Sequence, residues 1–398
     1  MTHDAVFRRC ALLYSPWFAR GADSFFPMMI GLLSNVLECT SGNAEVEQDL
    51  MQVGEAVKRA LESRGHQVIF YDLDADALER ILKDAQGEGD DAQEPQTELA
   101  EHVTPVKRIK LDAVFNVCER YNNLSTLEPN VASMLELYGI PYTGSSPWAL
   151  AVCMNKVRVK ELLQHHQLPI AKYQVFTSSR QRLDPDLSFP LIVKPNMMDN
   201  SIGITKDSLV HDLERLQAQV ALLLGTYDQE VLVEEFLPGR EFTVGVIGNV
   251  AAETLPICEI SFEKFPDKLP RILGYDAKWF KDSDAYQHTP IVCPAPISEE
   301  LAARMRTLAL EAYTLLGVRD YGRVDFRLDA NGNPVILEMN PNPGINVEDF
   351  IPVAARVAGI SYEELINMIL NEALTRHGVA LPKDILPPKQ DNNQGDVP

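Results

Sequence analysis

Along the first third of the chain, short apolar runs alternate with amphipathic stretches, the order that β-α-β units produce. The runs ALLYS (residues 11–15) and QVIFYDL (67–73) read as strands. Between them Val53, Val57, Ala60 and Leu61 recur at helical spacing over residues 46–64, and Gly65 supplies the C-terminal stop. A further strand, DAVFNV (112–117), precedes a helix over 131–138 that Gly139 ends. From about Ser146 the pattern changes. A helix over 156–164 is followed by a break at Pro169, then by strands at LIVKP (191–195), VLVEEF (231–236), EFTVGVIG (241–248), RVDFRLD (323–329) and PVILEMN (334–340). Helices are expected over 207–224 and 298–316, and no internal repeat is present. The fold class read from this pattern is an N-terminal α/β domain followed by an α+β body.

Three stretches break the pattern. FFPMMIGLLSNVL (25–37) is apolar throughout but has an internal proline and falls short of the roughly 20 residues a spanning helix needs. It is expected as a buried or interface segment. Residues 84–107 are polar and mostly acidic, a surface excursion, and the segment from Leu381 onward has the composition of a mobile tail.

Composition narrows the choice of function. The 398 residues, 45% of them hydrophobic, suffice for two or three domains. With 57 acidic against 36 basic side chains the net charge is −21, which argues against nucleic acid or an anionic membrane as partner. Any phosphate it binds therefore requires a local basic site. The six cysteines form no CxxC pair and no signal-peptide pattern precedes them, so reduced thiols, a cytoplasmic location and no structural zinc are expected.

The sharpest local signal is RVDFRLDANGNPVILEMNPNPG. A two-residue type I′ turn at Asn331-Gly332 would place Asp325 opposite Glu338 and Arg323 opposite Asn340, all on one side of the ribbon. Facing carboxylates repel unless a cation lies between them. The oxygen ligands Asp325, Glu338 and Asn340 suit magnesium, with manganese as the alternative ion. A solvated edge hairpin, with Arg323 merely neutralising the acids, is the competing reading. Lys194 ends a strand before a polar loop (196–205) containing Asn200, Ser201 and Gly203, a combination able to cover phosphates. In VLVEEFLPGREF, Glu234, Phe236 and Leu237 leave a strand where an adenosine could be met, with Glu241 reaching ribose hydroxyls; an ordinary turn at Pro238-Gly239 is the plainer alternative.

In order and spacing, YGIPYTGS (138–145), MNKVRVKELL (154–163), FPLIVKP, VLVEEFLPGREFTV, YGRVDF and LEMNPNPG resemble the ATP-grasp superfamily, and within it the D-alanine:D-alanine ligases. The resemblance covers roughly residues 112–361. It implies a Rossmann-like N-terminal domain (1–147), a central ATP-grasp part (148–235), a C-terminal part carrying the metal site (236–380) and a tail (381–398). It further implies Lys156 and Lys194 as holders of ATP phosphates, and Glu234, Leu237 and Glu241 as adenine and ribose contacts. Asp325, Glu338 and Asn340 become magnesium ligands. Arg323 is similar to the arginine that steadies the tetrahedral intermediate, and Lys278 to a lysine near the transferred phosphate. Glu45, in GNAEVEQDLMQVGEAVKRAL (42–61), falls where these ligases bind the first substrate's amino group.

Departures from the family pattern concern the substrate. Residues 16–41 stand as an insertion between ALLYS and that helix, expected as a homodimer contact or pocket wall. The family's loop serine falls on Asn200, beside Ser201, and a tyrosine is replaced by Trp279. The serine that receives the second D-alanine's carboxylate falls on or near Asp349, within the Gly344 to Asp349 stretch, where Asn346 is the neutral alternative. A carboxylate there disfavours an anionic acceptor. The resulting expectation is an ATP- and magnesium-dependent ligase joining a small carboxylate to an amine through an acyl phosphate. A true D-alanine:D-alanine ligase and a nucleotide-binding regulator without ligase chemistry are the alternatives.

Overall fold

The computed structural model describes residues 27–34, 44–74, 76–87, 110–121, 124–266, 269–280 and 282–379, apart from the side chains of residues 44–50 and 279. Its first sheet is parallel, in the order β2-β1-β3, from β1 (Met29–Ser34), β2 (Gln67–Asp72) and β3 (Ala113–Asn116). Helix α1 (Ala44–Glu62) crosses from β1 to β2, and α2 (Ala77–Gln86) follows β2.

The central strand is therefore not ALLYS, which lies outside the described residues, but part of the apolar stretch read as an insertion. Ile30 to Ser34 are all buried, because neighbours flank β1 on both edges and layers cover both faces. A strand enclosed in that way has no alternation to betray it, so periodicity alone did not separate it from other buried segments. With β1 at Met29–Ser34, only residues 35–43 lie between strand and helix. The long insertion disappears, and Ile30 to Ser34 are buried within the first sheet. The acidic segment from residue 88 to 107, the tail from 381, and residues 16–26 and 35–41 lie outside the described residues.

Helices α3 (Glu128–Leu137), α4 (Pro147–Met154) and α5 (Lys156–His165) lead into the second sheet. Ser146 Oγ accepts from Ala149 N to cap α4, and Asn155 Oδ1 accepts from Arg158 N to cap α5. That sheet is antiparallel, β4-β7-β5-β6, from β4 (Tyr173–Phe176), β5 (Leu191–Pro195), β6 (Leu209–Val210) and β7 (Val231–Glu235). The helix expected from residue 207 begins later, as α6 (Leu213–Tyr227), because Asp212 accepts from Arg215 N as its cap and residues 209–210 are drawn into the sheet as β6.

The third sheet runs β11-β10-β8-β12-β13, with β9 also paired to β8. Its strands are β8 (Glu241–Ile247), β9 (Glu253–Thr254), β10 (Cys258–Ile260), β11 (Ile291–Val292), β12 (Tyr321–Leu328) and β13 (Pro334–Asn340). Short helices α7 (Tyr275–Trp279) and α8 (Asp284–Gln287) lie between β10 and β11, and α9 (Glu299–Leu315) precedes β12. Helices α10 (Phe350–Val357) and α11 (Tyr362–Arg376) close the described chain.

These parts share cores rather than merely touching. Ile30 and Leu32 of β1 and Val53, Val57 and Leu61 of α1 pack with Leu365, Ile366 and Ile369 of α11. Burial of such side chains supplies about 25 cal/mol per Å² of apolar surface, which makes this seam a principal source of cohesion. A polar joint beside it fixes orientation. Buried Asp320 accepts from Gly144 N at 2.8 Å and from Arg376 at 2.7 Å, while Arg376 also donates to Tyr142 O at 2.8 Å. Asn342 Oδ1 accepts from Ser145 N at 2.9 Å, tying the end of the first sheet's segment to the residues just after β13. Among the described residues no helix is long and apolar enough to cross a membrane.

Candidate functional site

The ribbon β12-β13 carries the expected pairs, Asp325 opposite Glu338 and Arg323 opposite Asn340. The route to that register differs from the expectation. Asn331 does not have the positive φ a type I′ turn requires; only Gly332 does, at +82°. Asp329 N instead donates to Asn333 O, and the Asp329 carboxylate accepts from Asn331 N and Asn333 N, which makes a longer loop. Near this loop Phe326 faces Ile336 and Leu328 faces Pro334, one step out of the expected register. A bulge between Asp325 and Phe326, with Leu337 as the extra residue, restores it.

Beyond the bulge the polar side chains converge. Arg323 holds Asp325 through two parallel bonds, Nε to Oδ1 at 2.8 Å and Nη2 to Oδ2 at 2.9 Å. Asn340 Nδ2 donates to Asp325 Oδ2 at 3.0 Å and to Glu338 Oε1 at 3.4 Å. Burial raises the Asp325 carboxyl above its ordinary range against the pull of Arg323. Burial works in the same direction on Glu338, but Lys156 and Lys194 outweigh it and hold that carboxyl low. Among the described residues no group of three or more His, Cys, Asp and Glu forms a metal cage. Two carboxylates and an amide oxygen are nevertheless a hard-oxygen set of the size magnesium commonly takes from protein, so the residues present fit that ion.

Across the cleft, α5 and the second sheet present lysines. Lys194 on β5 reaches Glu234 Oε1 at 2.5 Å, and Lys160 on α5 reaches Glu234 Oε2 at 2.7 Å, with all three side chains almost wholly enclosed. The Glu234 carboxyl is held down to about 2, since the two ammonium groups overcome the large desolvation that opposes them. Both Glu234 carboxylate oxygens are thus engaged by ammonium groups. Glu234 fixes two lysines, and the residues after it, Phe236 and Leu237, continue along the cleft wall. Lys156 donates to Met198 O and lies 4.0 Å from Glu338, and burial lowers its pKa. Glu241 is likewise engaged, accepting from Arg327 Nη1 at 3.1 Å, although it still lines the cleft.

The loop over residues 196–205 is latched to α7. Ser201 Oγ donates to Leu273 O, Tyr275 N donates to Ile204 O, and Lys278 Nζ donates to Asn200 Oδ1 at 2.6 Å. Asn200 and Ser201 both adopt left-handed backbone, and Gly203 at φ +80° lies where a Cβ would come within 2.8 Å of Pro195. At the far end, Asn346 N donates to Asp349 Oδ2 at 2.8 Å, and a Cβ on Gly344 would lie 2.6 Å from the same oxygen.

One cleft of ≈ 1310 Å³ joins these groups: Lys156, Lys194, Asn200, Ser201, Glu234, Phe236, Leu237, Glu241, Lys278, Arg323, Asp325, Glu338, Asn340, Gly344, Asn346 and Asp349 all line it. Glu45 lies in the first turn of α1 and Trp279 ends α7, and their side chains are outside the described residues. Lys160, Arg327 and Glu119 are among the charged groups that escaped the sequence reading. Lys160 stands one helical turn after Lys156, a spacing that puts both on one face of α5 and could have revealed it. Arg327 follows Arg323 and Asp325 at period two on β12, an equally available signal. Glu119, which also lines the cleft, sits in an irregular turn after β3 with no pattern to mark it.

The D-ala D-ala ligase C-terminus family model matches residues 162–371, more than half of the chain. A D-alanine–D-alanine ligase of Bordetella petrii is 38% identical over 257 residues, 64% of this chain and 73% of that one. The D-alanine–D-alanine ligase B of Chromobacterium violaceum is 33% identical over 272 residues, 68% of this chain and 82% of that one. An uncharacterised protein of Sinorhizobium fredii is 38% identical over 248 residues, 62% of this chain and 70% of its own. Among solved structures, the ATP complex of Bacillus anthracis D-alanine–D-alanine ligase superposes with a TM-score of 0.64 at 21% identity, covering 88% of this chain and 99% of that one. That likeness concerns the ATP-grasp fold. The chain belongs to the D-alanine–D-alanine ligase family of ATP-grasp ligases.

Proposed function

We propose that the protein joins a small, amino-acid-like carboxylate to an amine with conversion of ATP to ADP and phosphate, by way of an acyl phosphate. The observation that carries this reading is the meeting of Lys156, Lys194, Lys278 and Arg323 with Asp325, Glu338 and Asn340 in one cleft, on a chain whose net charge is −21. A local cationic site of that kind is what a polyphosphate requires of an acidic protein.

Asp325, Glu338 and Asn340 would hold magnesium, which when bound supplies charge neutralisation at the transferring phosphoryl group. Lys156 and Lys194 flank the phosphates, Lys194 with its charge fixed by Glu234. The backbone around Phe236 and Leu237 meets the adenine, and Glu241, oriented by Arg327, meets the ribose. The donor carboxylate attacks the terminal phosphate within reach of Lys278. Arg323, already rigid through its paired bonds to Asp325, is placed to stabilise the oxyanion that forms when the amine adds to the acyl carbonyl. The loop over residues 196–205, latched to α7, shields the acyl phosphate from water. Glu45 is proposed to receive the donor's amino group.

The acceptor end carries Asp349 where the family pattern has a serine, and a carboxylate there opposes an acceptor that itself bears one. The second reading, a D-alanine–D-alanine ligase proper, is favoured by the names of the relatives. A phosphate-release screen over pairs of amino acids, small carboxylates and amines, with mass analysis of the products, tests both. The proposal expects little turnover with D-alanine alone and a defined amide with another pair. Efficient D-alanyl-D-alanine formation establishes the second reading, and ATP binding without turnover for any pair refutes both.

A further inference from the structure

Joining an amine to an acyl phosphate at neutral pH raises a problem the groups named so far leave open. An aliphatic amine arrives as an ammonium ion and has no lone pair until a base removes a proton. Lys278 and Arg323 are cations, and Asp325 and Glu338 are committed to the cation-binding ribbon.

Glu119 stands elsewhere. It follows β3, at the C-terminal edge of a parallel sheet, where open α/β sheets place ligands. Its backbone is set by a firm turn: Asn116 N donates to Thr143 Oγ1 at 2.9 Å, and Asn116 Oδ1 accepts from Cys118 N at 3.1 Å. The residue lines the cleft, and the Asn200 amide links its side chain to Lys278. Asn200 Nδ2 donates to Glu119 Oε2 at 3.4 Å, and Asn200 Oδ1 accepts from Lys278 Nζ at 2.6 Å. Glu119 and the lysine proposed beside the transferred phosphate are thus separated by one side-chain amide, and Asp199 and Asp349 line the same cleft. These neighbouring acids attract an ammonium.

Resting on the ligase reading above, we propose that Glu119 is the general base that takes the proton from the attacking ammonium of the second substrate. The carboxylate removes one proton from the ammonium and becomes a neutral acid. The freed lone pair forms the C–N bond to the acyl carbonyl, and the carbonyl pair moves to oxygen, facing Arg323. On collapse the C–O bond to phosphate breaks with its electron pair going to phosphate, which leaves with the second nitrogen proton as hydrogen phosphate. Glu119 then loses its proton through the open mouth of the cleft.

The electrostatics suit this role. Burial and then the Asp199 charge push the Glu119 carboxyl up to about 7, with Asp349 adding to the rise and Lys278 and Arg120 moderating it. Glu128, buried on α3 and itself raised, also faces it. A base near the working pH is strong enough to accept the proton yet is ionised in a useful fraction of molecules.

The test compares nucleophiles. With ATP, Mg2+ and a donor acid from the screen, wild-type protein forms a hydroxamate with hydroxylamine, which is largely unprotonated at neutral pH and needs no base. Absence of hydroxamate from the wild type removes the ligase reading itself. Glu119→Gln is expected to lose amide formation by about 10²-fold or more, the usual worth of a general base, with a much smaller loss of hydroxamate. Its deficit toward the amine should shrink as the pH approaches the amine's own pKa, and Glu119→Asp should recover part of the amide rate. Equal loss of both products in Glu119→Gln, or a deficit constant with pH, overturns the base assignment while leaving the ligase reading intact.

Discussion

Glu234 lies between two ammonium groups, Lys160 and Lys194, whereas Asp325 is held by the guanidinium of Arg323 and both Asp325 and Glu338 accept from the amide of Asn340. Both acidic centres border the same cleft, and they resolve their burial in opposite ways. At Glu234 the partners exceed the acid, so the carboxyl titrates low and a surplus positive charge is fixed in place. At the ribbon burial outweighs the pull of Arg323 and raises the Asp325 carboxyl, while Lys156 and Lys194 hold Glu338 low, so that its carboxylate meets the cleft charged. A buried ion pair is poor evidence of stabilisation, because desolvation offsets much of its attraction. The contrast is better understood as placement: one wall offers fixed cations to phosphates, the other offers oxygen ligands to a cation.

Removing a ribbon carboxylate should break this arrangement most severely. Asp325→Ala is expected to lower ADP formation by roughly 10³-fold or more, the several kcal/mol a bound cation contributes, in protein shown to be folded at the assay temperature. Turnover at the wild-type rate would remove the metal role.

Glu234→Gln should act on folding first. It leaves Lys160 and Lys194 buried beside each other and should destabilise the fold by about 3–5 kcal/mol in urea unfolding. Adding Lys160→Met should recover part of that loss, a coupling of about 0.5–3 kcal/mol. The pH dependence has a fixed sign. The carboxyl of Glu234 is lower in the folded state, so its contribution is complete above the ordinary value of 4.5 and is lost as pH falls toward about 2. The stability curve of Glu234→Gln should therefore be flatter than that of the wild type over that window, and parallel curves would contradict the ion-pair assignment.

Arg323→Ala sharpens the division between binding and chemistry. The coupled rate should fall about 10²-fold, with ATP affinity changed by far less. Loss of both in equal measure would make Arg323 a structural partner of Asp325 and nothing more.

The C-terminal half was more legible than the N-terminal sheet, for physical reasons. Strand β12 carries charged residues at period two, and β13 ends with the polar pair Glu338 and Asn340 at the same period, so their pattern names both the element and its face. The Asp325–Glu338 pairing was nevertheless reached through two compensating departures, a longer loop and a bulge at Leu337, neither of which side-chain alternation records. Strand β1 is enclosed on both faces, and MIGLLS shows only that it is buried, not how. The pairing of Glu234 with Lys160 was not legible, because Lys160 comes from a helix distant in sequence. Glu119 owes its surroundings to three separate segments that meet only when the chain is folded.

The central claim is that the donor carboxylate becomes an acyl phosphate in this cleft. Its most direct test is to label both oxygens of the donor acid with oxygen-18, allow the full reaction with ATP, Mg2+ and the amine, and weigh the phosphate released. The account expects ADP and phosphate carrying one labelled oxygen, transferred when the acyl phosphate breaks down. Unlabelled phosphate, or AMP with pyrophosphate, would contradict it.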